Sequence, residues 1–276
     1  LSIGSLVARG LNFGLDFTGG TLIEVSYPAA PDISDVREHL SDAGMPDAVV
    51  QTFGTATDIV VRIPPRDNED ETNAEISTVV LNALQEGVEG EIVMRRVEFV
   101  GPQVGDELTE QGILAVVYAL IGIFLYVMMR FQWRFSVGAV TALVHDIIIT
   151  MGIISLLQVE FDLTVVADLL AVIGYSLNDT IVLFDRVREN LPRIDKPLDE
   201  VLDISVNQCL SRTLLTSITT LIVLGVIFWL SLGEQHVLEG FSFAMIIGVL
   251  VGTYSSIFVA SPVVSMIARK HQEATA

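Results

Sequence analysis

Six residues of this 276-residue chain pair reactive side chains with an apolar setting: His145, Asp146, Asp168, Asn178, Asp179 and Arg212. Each stands inside, or at the start of, a run of apolar residues long enough to cross a bilayer. Placing an ionisable group at bilayer depth costs about 2.5–3.5 kcal/mol on insertion scales. Each such group therefore needs a partner, a neutral form or a task that involves moving charge. Asp168 and Asp179 are eleven positions apart, about 1100° of helical rotation, which puts them on one face but roughly 16 Å apart along the axis. That separation excludes the close carboxylate dyad of an intramembrane aspartyl protease, whose acids sit about 3 Å apart. Asp168, near the end of its run, reads as a charge at the membrane interface.

Asp179 and Arg212 flank a polar connection at nearly equal distances, so two antiparallel helices would bring them to similar depth. One reading is a proton relay in which Asp179 takes up and releases a proton and Arg212 sets its affinity. The other is a static ion pair, or an Arg212 that snorkels to the surface. Residues alone leave both open. Ser211, Thr213, Thr216, Ser217, Thr219 and Thr220 make the start of the second helix rich in hydroxyls, which suits a hydrated path and equally suits interhelical packing. His145 and Asp146 either feed the same path or rest in hydrogen bonds to a neighbouring helix. No metal or cofactor is expected, because His39, His145, His236 and His271 lie in four separate elements and Cys209 is the one cysteine.

The elements that must position these groups are apolar runs at 112–129, 137–157, 163–184, 213–232 and 241–267, each near the roughly 20 residues that span a bilayer. With 51% apolar and 18% charged residues and a mean hydropathy of +0.59, the chain as a whole is no water-soluble globule. Residues 1–9 read as the end of a further, truncated helix. Arg130, Arg134, Arg186, Arg188, Arg193, Lys196, Arg269 and Lys270 occupy alternate connections and the C-terminal end. Segments 158–162 and 233–240 hold no Lys or Arg. The basic connections are therefore expected on the cytoplasmic side, including a loop at 185–211, and the others outside. In the last run, Gly240, Ala244, Gly248, Gly252, Ser256 and Ala260 recur every fourth position. This stripe of small residues reads as a packing seam, with a sliding surface as the sharper alternative.

Residues 10–111 differ in kind, with 20 acids against 5 bases. An acidic surface repels phosphates, so nucleic acid is not an expected ligand. Alternating strands at 21–27, 48–53, 58–63 and 91–100 and helical spacing at 32–43 and 73–84 give the order βαββαβ, the ferredoxin-like arrangement. Segment 64–72, rich in Pro, Asp and Glu, reads as a solvated connection. Gly14, Gly19 and Gly20 around Asp16 lack the spacing of a phosphate-binding loop. The fold expected is thus a polytopic α-helical membrane protein with an inserted α+β module at 10–111 and a helical domain at 112–276.

Leu11-Asn-Phe-Gly-Leu-Asp-Phe-Thr-Gly-Gly-Thr21 and Val100-Gly-Pro-Gln-Val-Gly105 are similar to two signatures, one after the first helix and one leading into the second, of the SecD/SecF family of protein-export membrane proteins. Val144-His-Asp146, Ser211-Arg-Thr213 and IGYSLNDTIVLFDRVREN at 173–190 resemble the SecF branch, as does the modest size of the inserted module. The resemblance implies a six-helix half of the resistance-nodulation-division (RND) superfamily with a periplasmic module. It implies pairing with SecD and association with SecYEG, YajC and YidC in the bacterial inner membrane. It further implies use of the proton-motive force to help export unfolded polypeptides, with no catalysis of its own. Asp179, beside Asn178, and Arg212 match the family's proton-path positions. Two other classes stand beside this: an RND-type half-transporter of small molecules or lipids, and a structural translocon subunit without proton chemistry.

Overall fold

The structure, a computed structural model, describes residues 1–53, 55–65, 73–86, 88, 90–232 and 236–275. Side chains at 53, 73–75, 102, 236–237 and 271–275 are left undescribed. Most of the expected acidic connection at 64–72 and residues 233–235 of the 233–240 connection lie outside the described residues. The chain divides into two units, one of Phe13–Gln111 with Ser231–His236, the other of Leu1–Asn12, Gly112–Leu230 and Val237–Ala276.

In the first unit, strands β1 (Gly20–Ser26), β2 (Val49–Phe53), β3 (Thr55–Ile63) and β4 (Val93–Val100) form one antiparallel sheet in the order β2-β3-β1-β4. β1 sets Ile23 against Val61 and Val97, so alternate apolar residues fall on one face. The helices of this module come between the strands, with α3 (Ile33–Asp42) after β1 and α4 (Asn73–Gln85) after β3. This is the βαββαβ order expected from the sequence. Ile23, Val25, Val36, Leu40, Ile59, Val61, Val80 and Leu84 share the core.

Local chemistry fixes the helix ends. The Asp32 carboxylate accepts from the Ser34 amide at 2.8 Å and caps α3. At the far end Gly44 has φ +83°, Met45 N–H donates to Leu40 O at 2.8 Å, and Met45 buries its side chain. The short helix α2 (Leu15–Thr18) ends in Gly19 (φ +67°) and Gly20 (φ +112°), and a side chain at Gly20 would collide with the Ile63 carbonyl. A methyl at Gly105 would lie 3.1 Å from Phe17 O and 3.3 Å from Gly19 N. The two signatures, at 11–21 and 100–105, therefore pack on one another. Gly14, Gly19 and Gly20 work as backbone geometry, with Gly14 O receiving the Thr18 hydroxyl at 3.1 Å.

The second unit is helical. Helices α5 (Pro102–Arg130), α6 (Trp133–Leu157), α7 (Leu163–Asn190) and α8 (Leu198–Ser231) are each long and apolar enough to cross a membrane. The fifth span, Leu238–Lys270, is built from α9 (His236–Ser255), a π-helical turn (Ser256–Ala260) and α10 (Ser261–Thr275). The chain is a multi-pass membrane protein. Pro262 gives the turn its cause, since it has no N–H for the carbonyl one turn back and its ring crowds that carbonyl, and a widened turn relieves both. The short helix α1 (Ser2–Arg9) packs on α6 through Ser5 Oγ and Ser155 Oγ, 3.1 Å apart.

Helices α7 and α8 run past the apolar segments that predict them. The expected loop at 185–211 is helical apart from 191–197. Val187, Val201 and Leu202 are buried there, and Asn190 Nδ2 donates to Ser205 Oγ at 2.9 Å and to Gln208 Oε1 at 3.0 Å. Polar residues that bridge two helices hide the helical signal from a hydropathy reading. At the same end Phe131, Phe135 and Phe184 cluster, with the last two rings 4.9 Å apart and edge to face.

Candidate functional site

Three helices meet in one seam. Gly248 and Gly252 on α9 face Val172 and Ser176 on α7 at the same offset, so these helices run parallel. A methyl at Gly252 would sit 2.9 Å from Ser176 Cβ, and one at Gly248 would collide with Val172. The missing side chains are what let the backbones approach. Gly240, the first member of the stripe, has nothing within 4 Å of its Cβ position, so the close approach does not extend to it. Helix α6 runs antiparallel to α7, because Asp146 meets Ser176 while Gly138 faces Phe184.

Asp146 ties the seam together. Its side chain is wholly buried. Oδ2 accepts from Ser176 Oγ on α7 at 2.6 Å and from Ser255 Oγ on α9 at 2.8 Å. Oδ1 lies 3.1 Å from Nδ1 of the half-buried His145. Ser255 is the last residue before the π-helical turn, so the carboxylate grips α9 where its backbone changes pitch. Sequence reasoning missed Ser176 and Ser255. The signal was present in Ser176, three positions before Asp179 and on its face.

Asp179 is buried at 5% exposure, and its Oδ2 has no hydrogen-bond partner. Asn178 beside it is exposed. The expected depth match with Arg212 is present, since Tyr175 Oη donates to Ser217 Oγ at 3.4 Å and sets α7 against α8 in the antiparallel register foreseen. The faces differ. Thr213 and Ser217 form the buried stripe of α8, while Arg212, about 100° around the helix from Thr213, is exposed. No ion pair within 4.0 Å joins Asp179 and Arg212, and the guanidinium acts on the acid only across space. Spacing along the chain gave depth, but one residue of rotation decides whether two groups touch.

Asp168, expected as a charge at the membrane interface, is enclosed within the helical unit. It is 0% exposed, and neither carboxyl oxygen has a partner. Thr150 Oγ1 on α6, across from Val172, is likewise buried and unpaired. Among the described residues, no group of three or more His, Cys, Asp or Glu could hold a metal ion.

Membrane-spanning helices with an inserted ferredoxin-like module define the class as a multi-pass α-helical membrane protein carrying an α+β domain, with buried acids within its helical unit. Comparison with known proteins sharpens this. Residues 80–270 match the family described as protein export membrane protein SecD/SecF, C-terminal, and residues 4–27 match the SecD/SecF GG motif. The protein translocase subunit SecF of Vibrio alginolyticus is 52% identical over 94% of this chain and 81% of its own length. That of Pseudomonas aeruginosa is 51% identical over 95% and 84%. The crystal structure of SecDF, a translocon-associated membrane protein from Thermus thermophilus, superposes with TM-score 0.83 at 35% identity, covering 98% of this chain. This chain spans only 36% of that one. The chain belongs to the SecD/SecF family.

Proposed function

We propose that this protein is an accessory subunit of the Sec translocon, working with a SecD partner to promote export of unfolded polypeptides across the bacterial inner membrane. Family membership and the translocase-subunit names of its relatives support the role. In this reading the soluble module faces the periplasm, and the Arg-bearing connections and the C-terminal end face the cytoplasm. SecYEG, YajC and YidC are the further partners. The observation that carries a proton-driven mechanism is Asp179, a carboxyl buried mid-helix with Oδ2 unpaired. Such a group holds a proton cheaply and a charge expensively, which suits a carrier. One proton falling through 100 mV releases about 2.3 kcal/mol, enough to reverse two conformations of similar energy. Arg212, exposed on α8, acts on Asp179 only across space, and in this reading it responds through that field when the acid changes charge. Asp146, with its hydrogen bonds complete, supports a second and static role as the tie between α6, α7 and α9.

The test is Asp179→Asn in a SecD-paired complex reconstituted with the channel and SecA. Proton-gradient stimulation of export disappears while copurification with SecD persists. Unchanged stimulation overturns the relay and leaves a scaffold.

A further inference from the structure

The buried side-chain polar atoms without hydrogen-bond partners are not scattered over the chain. Among the described residues they belong to Ser136 and Thr150 on α6, Asp168 and Asp179 on α7, and Ser261 at the start of α10. All five lie on the elements of the α6–α7–α9/α10 seam. Natural proteins leave few such groups, and each calls for an explanation. A cluster confined to one seam has one explanation in common.

The register of the helices orders them. On α7, Asp168, Val172, Ser176 and Asp179 share the buried face. Thr150 lies across from Val172, and Asp146 across from Ser176. Asp168 thus stands at one end of a polar ladder that passes Thr150 and the Asp146–Ser176–Ser255 knot and reaches Asp179, about 16 Å away along the helix. Among the described residues of this unit, Asp146 and Asp168 are the carboxyls at 0% exposure, and neither oxygen of Asp168 has a hydrogen-bond partner. A full negative charge in that position costs far more than a proton does. Because the side chain is 0% exposed, no partner subunit can reach it from outside.

We infer that Asp168 is a proton-carrying site, the outer station of a path that runs inside this chain through the α6–α7–α9 seam. This rests on the proposed relay at Asp179 and on the orientation given above. A proton from the periplasmic side binds a carboxylate oxygen of Asp168. The O–H bond then breaks as the proton passes to a water molecule, and Asp168 returns to the anion until the next proton arrives. The groups that face it fit this role. Asp162, the N-cap of α7, is the acid whose field reaches it. On α6, residues 147–157 hold no ionisable side chain, and on α9 the nearest acid is Glu239, before Ala244. On α1, Arg9 is engaged with the Leu156 carbonyl at 3.0 Å. Among the described residues, no cation pairs with the acid to hold it ionised.

The experiment compares Asp168→Asn, Asp168→Glu and Asp179→Asn in the SecD-paired complex in proteoliposomes. Proton flux and the infrared band of buried protonated carboxyls are both read. Asp168→Asn, nearly isosteric with the neutral acid, assembles normally, loses one protonated-carboxyl band and loses most of the flux, and Asp168→Glu restores both. Wild-type flux together with an unchanged band in Asp168→Asn overturns the inference, whatever Asp179→Asn does. So does flux that follows sodium rather than protons. Loss of flux in Asp168→Asn with normal flux in Asp179→Asn upholds the outer station and removes Asp179 from the path.

Discussion

Asp146 and Asp168 are both wholly buried carboxyls on facing helices, and their surroundings treat them in opposite ways. Asp146 accepts from two serine hydroxyls at 2.6 and 2.8 Å, whereas Asp168 has none to accept. Each hydroxyl that bonds a buried carboxylate stabilises the packed state, and losing one leaves Oδ2 short of a donor. Ser255→Ala is therefore expected to lower the unfolding free energy of the detergent-solubilised protein by about 1.5–3 kcal/mol. Thr219→Ala is the control, because that exposed hydroxyl bonds only carbonyls of its own helix, and it should stay within about 0.5 kcal/mol of wild type. Thermal or denaturant unfolding measures both. Equal effects would mean that the Asp146 knot adds nothing to stability.

At the scale of elements, the α7–α9 contact depends on two missing side chains. Gly248 and Gly252 let α9 lie against Val172 and Ser176, which holds Ser255 within reach of Asp146. Gly248→Ala puts a methyl into Val172, and overpacking of this kind costs about 1–3 kcal/mol. Adding Val172→Ala to the same chain should recover part of the loss. Gly240→Ala has open space around it and should be neutral or stabilising by up to about 1 kcal/mol through helix propensity. Unfolding midpoints of the three variants separate the outcomes, and a Gly248→Ala protein as stable as wild type would show that the seam is loose. The stripe of small residues was legible as a packing surface from its four-residue period. The π-helical turn was not anticipated, although Pro262 stood in the sequence to announce a break.

For the whole molecule, the alternation of basic and base-free connections sets the expected orientation. Cys209 is the one cysteine and is buried, which makes side-specific labelling direct once it is replaced by alanine. In that background Asp195→Cys should react with a membrane-impermeant maleimide only in inverted vesicles, and Glu38→Cys only in cells with permeabilised outer membranes. Reaction of both from one side would overturn the proposed topology. Surface exposure points the same way as the need for a partner. Along α8, Leu215, Ile218, Ile222, Val226 and Trp229 are all more than half exposed in this chain, a face that lipid or another subunit must cover.

The membrane class, the five spans, the βαββαβ module and the identity of the polar residues within the spans were all present in the sequence. Each follows from local quantities, namely runs of apolar residues, periods of two or 3.6 and the cost of charge in lipid. The depth match of Asp179 and Arg212 was equally legible, because rise per residue is constant along a helix. What only the tertiary structure decided is which groups meet. Asp146 finds Ser176 and Ser255, Arg212 makes no ion pair with Asp179, and Asp168 is enclosed in a buried seam. Those outcomes depend on helix rotation and on the contact geometry of three helices at once, where each 100° step moves a side chain from a neighbour to open space.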